Sequence, residues 1–111
     1  MSKALTVAYI RAFDARDLDA VGALLTDDFS LEDPVVKRIE GKSAALAMMK
    51  GMFEGCQALS FRAKNIYVDG ATTVIEFTLD IDSIHLEGVD IIEWQGDQMR
   101  ALRAYLDIPK G

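Results

Sequence analysis

Tyr9, Asp33 and Asp90 are far apart in a chain of 111 residues, yet each stands among apolar neighbours that would strip it of water. In the run Asp27-Asp28-Phe29-Ser30-Leu31-Glu32-Asp33-Pro34, strand alternation puts Phe29, Leu31 and Asp33 on one face. Asp28, Ser30 and Glu32 take the other. Pro34 then stops the strand, because it cannot donate to a ladder. Asp33 thus ends a strand with its carboxylate aimed inward, a way to hold a general base where water is scarce. The other reading is an Asp-Pro turn whose carboxylate caps backbone N–H groups. Asp90 lies within a strand over 84–94, on the face of Leu86, Gly88, Ile92 and Trp94. If that face is concave, desolvation raises its pKa and the neutral carboxyl becomes a hydrogen-bond donor. Otherwise it faces outward, in a dimer contact or paired with Arg100 or Arg103. Tyr9 sits in the middle of an apolar helical stripe, and a buried phenol needs a partner. A backbone carbonyl would serve, but so would a ligand. A base and protonated donors in apolar surroundings are the parts of acid–base catalysis.

The elements that carry these residues follow from periodicity. A first helix spans 2–15, with Ser2 as a plausible N-cap and Leu5, Tyr9, Ala12, Phe13 and Arg16 on one stripe. Asp17 caps a second, shorter helix that ends at Thr26 and Asp27. The Asp33 strand follows, then a solvated loop over 35–40 carrying Lys37 and Arg38. A third helix runs from Gly41-Lys42-Ser43 to about Glu54. On it Leu46, Met49 and Phe53 share a face, flanked by Ala45, Met48 and Met52. Such a methionine cluster is either core filler or the soft wall of a ligand cavity.

Beyond Gly55 the texture becomes alternating. Leu59 to Ala63 is a strand, its pattern broken at Lys64-Asn65 as by a bulge, and resumed at Ile66 and Val68. Asp69-Gly70 and Gly96-Asp97 are hairpin signals. The clearest strand, 72–82, turns Thr73, Ile75, Phe77, Leu79 and Ile81 one way. Two more strands, over 84–94 and 99–106, complete the chain before a short tail. The order is helix, helix, strand, helix and four strands in a meander. That is an α+β fold, with three N-terminal helices against one face of a curved antiparallel sheet. The concave face of such a cone encloses a pocket.

Composition narrows the function. One domain over 1–111, half of it hydrophobic, has a real core. A net charge of −6 argues against nucleic acid and anionic membrane as partners. No apolar run reaches the roughly 20 residues that span a bilayer. Arg11 and Asp14 come too soon for a signal peptide, and the single Cys56 precludes an intrachain disulfide. A reduced, cytoplasmic protein is the expectation. His85 is the only histidine and has no second ligand beside it, so no metal is expected.

The run Tyr9-Ile10-Arg11-Ala12-Phe13-Asp14, with Asp17-Leu18-Asp19-Ala20, Asp27-Asp28 and Leu31-Glu32-Asp33-Pro34, resembles the Δ5-3-ketosteroid isomerases of the nuclear transport factor 2-like superfamily. Leu86 to Ile92 and Arg103-Ala104-Tyr105-Leu106 resemble that family's C-terminal half. SnoaL-like cyclases of the same superfamily show similar acidic runs. The resemblance implies Asp33 as proton-shuttling base, and Tyr9 with protonated Asp90 as oxyanion hole. A carboxylic acid kept neutral to donate a hydrogen bond is this family's known device. It implies a small apolar carbonyl ligand, no cofactor, and a homodimer through the convex sheet face, where Val74, Val89 and Ile91 are compatible. Phe29, Leu31, Met48, Phe53, Ile92, Leu102, Ala104 and Leu106 are the expected pocket wall. Leu25, Met49 and Leu106 stand where the best-studied branch has two further tyrosines and a tryptophan.

Overall fold

Apolar residues at helical spacing make Ser2–Asp14 the first helix, α1, which buries Thr6, Tyr9, Ala12 and Phe13. The structure is a computed structural model and describes residues 2–34 and 37–107. Arg16 takes a left-handed φ of 55° and turns the chain into α2, Leu18–Ala23. Asp17 caps that helix, its carboxylate accepting from the Ala20 N–H at 3.1 Å. The third helix, α3, Lys42–Glu54, buries Ala45, Met49 and Phe53. The Arg16 guanidinium donates to the carbonyls of Cys56 and Gln57, both at 3.2 Å, and so ties the α1–α2 corner to the end of α3.

Six strands form one open, curved sheet. They are β1 Leu25–Asp33, β2 Lys37–Glu40, β3 Leu59–Asp69, β4 Thr72–Ile81, β5 Ile84–Gln95 and β6 Gln98–Leu106, in spatial order β2-β1-β6-β5-β4-β3. The α+β architecture with its N-terminal helices is the expected one. The bulge falls between Ala63 and Asn65, and the β3–β4 and β5–β6 hairpins turn on Gly70 (φ 59°) and Gly96 (φ 63°). The tail residues beyond 107, and Val35 and Val36 of the expected loop, lie outside the described residues.

Three details differ from expectation. The segment 37–40 is an edge strand paired to β1, with Leu31 opposite Ile39 and Asp33 opposite Lys37. Its single apolar residue and three charges suit an exposed edge, where charge discourages further pairing. The sheet is not wholly antiparallel: β1 runs parallel to β6. The second helix ends at Ala23 rather than at Thr26-Asp27, because the Leu24 carbonyl already accepts from the Met99 N–H of β6 at 2.6 Å.

The helices cover the concave face. There β4 buries Thr73, Ile75, Phe77 and Leu79, the face that its alternation assigned. Phe13 meets Phe53 and Phe61 at 5.1 and 5.0 Å between ring centroids, and Phe61 meets Phe77 at 5.1 Å. This aromatic layer holds α1 and α3 on the sheet. Deeper in, the Thr6 hydroxyl donates to Thr73 Oγ1, which also accepts from the Trp94 indole, both at 2.9 Å. The Thr6 hydroxyl that α1 brings into the core is thereby satisfied.

Candidate active site

Sheet register brings the two carboxylates together. Leu31 is level with Leu102 and Glu32 with Arg103, so one further step puts Asp33 level with Ala104. On the other side of β6, Asp90 is paired with Ala104. Alternation turns Asp33, Ala104 and Asp90 to the same face. One methyl group stands between two acids, and the space above it stays open. Helix α1 lays Tyr9 over that space.

The resulting cavity is lined by Tyr9, Asp33 and Asp90 together with Leu31, Met48, Leu102, Ala104 and Leu106. Its volume is about 60 Å³. Phe13, Met49, Met52, Phe61, Phe77 and Leu79 complete the wall. Phe77 and Leu79 could have been named from the alternation of β4, and Phe13 from the stripe of α1. Three expected wall residues are elsewhere. Phe29 and Ile92 lie on the correct face but are wholly buried, packed into the core away from the opening. Phe53 is turned edge-on to Phe13 and sits one layer behind it. Leu25 is wholly buried in the core, whereas Met49 and Leu106 stand on the wall.

Burial dominates the electrostatics. Asp90 is 5% exposed. Desolvation first, and the negative charge of Asp33 second, push its carboxyl up to about 8. Burial, then the charge of Asp90, also hold the Tyr9 phenol well above the ordinary tyrosine value. Both groups therefore keep their protons at neutral pH and can donate. Arg100 and Arg103, which could have neutralised Asp90, both pair with Glu93 on the opposite face. Asp33 is partly exposed at the cavity mouth. Among the described residues, no three His, Cys, Asp or Glu side chains group as metal ligands.

Gly88 fixes the spacing of β5 and β6 beside this mouth. A Cβ there would overlap the Tyr105 carbonyl oxygen and stand 2.9 Å from Leu106 Cδ2, a wall atom. Gly88→Ala is expected to destabilise the fold by about 1–3 kcal/mol, as overpacking does, read as a lowered denaturant midpoint.

The SnoaL-like domain model matches residues 6–102. No curated protein matches the chain. Among solved structures, an NTF2-like protein of unknown function from Cytophaga hutchinsonii superposes with a TM-score of 0.86 at 14% identity, over 96% of this chain and 90% of that one. A candidate ketosteroid isomerase from Kribbella flavida gives 0.86 at 20%, over 99% and 80%. An epoxide hydrolase from M. tuberculosis gives 0.81 at 24%, over 96% and 82%. At these identities the likenesses speak for the fold. With the family model spanning both halves of the site, the chain belongs to the SnoaL-like domain family, and its fold is that of the NTF2-like proteins.

Proposed function

We propose that this chain is an acid–base isomerase that moves a carbon–carbon double bond into conjugation with a ketone. The carrying observation is that Tyr9, Asp33 and Asp90 line one apolar cavity, with Asp90 held neutral by burial. Asp33 takes a proton from the carbon between ketone and alkene. The C–H electron pair moves into the carbon framework, and negative charge collects on the carbonyl oxygen as a dienolate. Tyr9 and Asp90 donate hydrogen bonds to that oxygen. Asp33 then returns the proton two carbons further on, so the product is an isomer of the substrate and no co-reactant is consumed. A positioned base contributes about 10²–10⁴ in rate, and an oxyanion donor about 10²–10³.

The size of the cavity bears on the substrate. At about 60 Å³ it is far below the ~300–1,000 Å³ usual for drug-sized ligands. A short ketone fits this reading better than a four-ring steroid, which would need the methionines of α3 to swing aside. The cavity would equally polarise another small carbonyl compound, as in an aldol cyclisation. An absorbance assay separates the two: only isomerisation of a β,γ-unsaturated ketone produces the ultraviolet band of a conjugated enone without forming a ring. Failure of wild type to produce that band from any short or steroidal β,γ-unsaturated ketone would remove the isomerase reading. A second copy is the proposed protein partner, docked on the convex face, where Tyr67, Val74 and Ile91 lie side by side across β3, β4 and β5.

A further inference from the structure

A second concavity adjoins the first. It has a volume of about 370 Å³ and shares Asp33 and Ala104 with the inner cavity as common walls. Its chemistry is different. Lys37, Arg38 and Arg103 all line it, in a protein whose net charge is −6.

The three cations are not equivalent. Arg38 pairs with Glu32 and Glu40, and Arg103 pairs with Glu93. The Lys37 ammonium donates to the Pro34 carbonyl at 3.1 Å, and among the described residues no carboxylate lies within ion-pair distance of it. Lys37 is also the cross-strand partner of Asp33, so its side chain starts beside the base, on the same side of the sheet. One ammonium outside the ion pairs of the described residues thus stands in a ligand-sized groove, on the strand position opposite the group that would move the proton.

We infer that the substrate is a short keto acid: its ketone enters the inner apolar cavity, and its terminal carboxylate lies in the outer groove on Lys37. The placement of the ketone rests on the isomerase reading; the anion subsite rests on the groove itself. A monoanion is favoured over a phosphate dianion, because Lys37 is the one of the three cations outside an ion pair among the described residues and the carboxylates of Glu32 and Asp33 also line the groove. The small inner volume and the charged outer volume then take the two ends of one molecule.

Two probe pairs test this. The first is 5-oxooct-7-enoate and its methyl ester, followed by enone absorbance. The second is 5-oxooctanoate and its methyl ester, which have no double bond to move, followed by calorimetric binding. Wild type is expected to favour each acid over its ester by about tenfold, the lower end of what a hydrogen bond to a charged group contributes. The preference should shrink as salt is raised. Lys37→Asn removes the charge, and asparagine tolerates the left-handed φ of 66° at this position. It should abolish the preference, and Lys37→Arg should retain most of it. Equal affinity for acid and ester in wild type, or a preference that survives Lys37→Asn, would overturn the subsite. Tighter binding of 5-oxooctanoate that depends on Lys37, with no turnover of either unsaturated probe, would uphold the subsite and overturn the isomerase. Turnover of acid and ester at the same kcat/KM would do the reverse.

Discussion

Asp33→Asn is expected to lower kcat for double-bond migration by about 10³-fold, within the 10²–10⁴ that a positioned base supplies. The substitution keeps the shape of the side chain and removes its ability to take a proton. Because Asp33 lies at the mouth and is partly exposed, the fold should tolerate the change. Binding should be much less affected than turnover, since the interaction lost is one that matters on the way to the transition state. The measurement is steady-state enone absorbance on wild type and variant, with circular dichroism to confirm equal folding. Turnover within a few-fold of wild type would remove Asp33 from the mechanism.

The second large effect is on stability. In the unfolded chain Asp90 titrates near 3.8, and in the folded protein near 8. Between these values the folded protein holds a proton that the unfolded chain has released. Stability is therefore greatest below about pH 4 as far as this group is concerned, and declines as pH rises towards 8. The slope approaches about 1.4 kcal/mol per pH unit from this residue alone, and levels off above 8. Asp90→Asn cannot ionise, so the decline should vanish. At pH 7 the variant should be more stable than wild type by a few kcal/mol, although catalytically weaker. Urea midpoints between pH 5 and 9 read this directly; parallel pH dependences for wild type and variant would contradict it. Activity should also show an alkaline limb near pH 8, where ionised Asp90 stops donating and repels the developing oxyanion.

Much of this was legible in the chain. The helical stripe around Tyr9 and the strand alternation around Asp33 and Asp90 placed all three side chains on inward faces. Helices on one face of a curved sheet then left few places for those faces to meet. Alternation, however, reports a face and not a depth. Phe29 and Ile92 share the face of the site, yet are packed away from the opening. The β1–β6 pairing was illegible for another reason. It joins residues some 70 positions apart and in parallel, so no turn or hairpin announces it. The edge strand β2 read as loop because an exposed edge favours charge over alternation. The unforeseen pairing and the unforeseen strand both matter: β6, lying between β1 and β5, sets the separation of the acids, and β2 brings Lys37 beside Asp33.

At the centre is an electrostatic claim: one carboxylate is kept neutral in an apolar hollow partly by the charge of another across a single strand. Carbon-13 NMR titration of the aspartate carboxyl groups, in wild type and in Asp33→Asn, tests it most directly. The account predicts an Asp90 resonance that titrates near 8 in wild type and at lower pH once the charge of Asp33 is gone. An Asp90 that titrates in the ordinary carboxylate range, unmoved by the substitution, would contradict it.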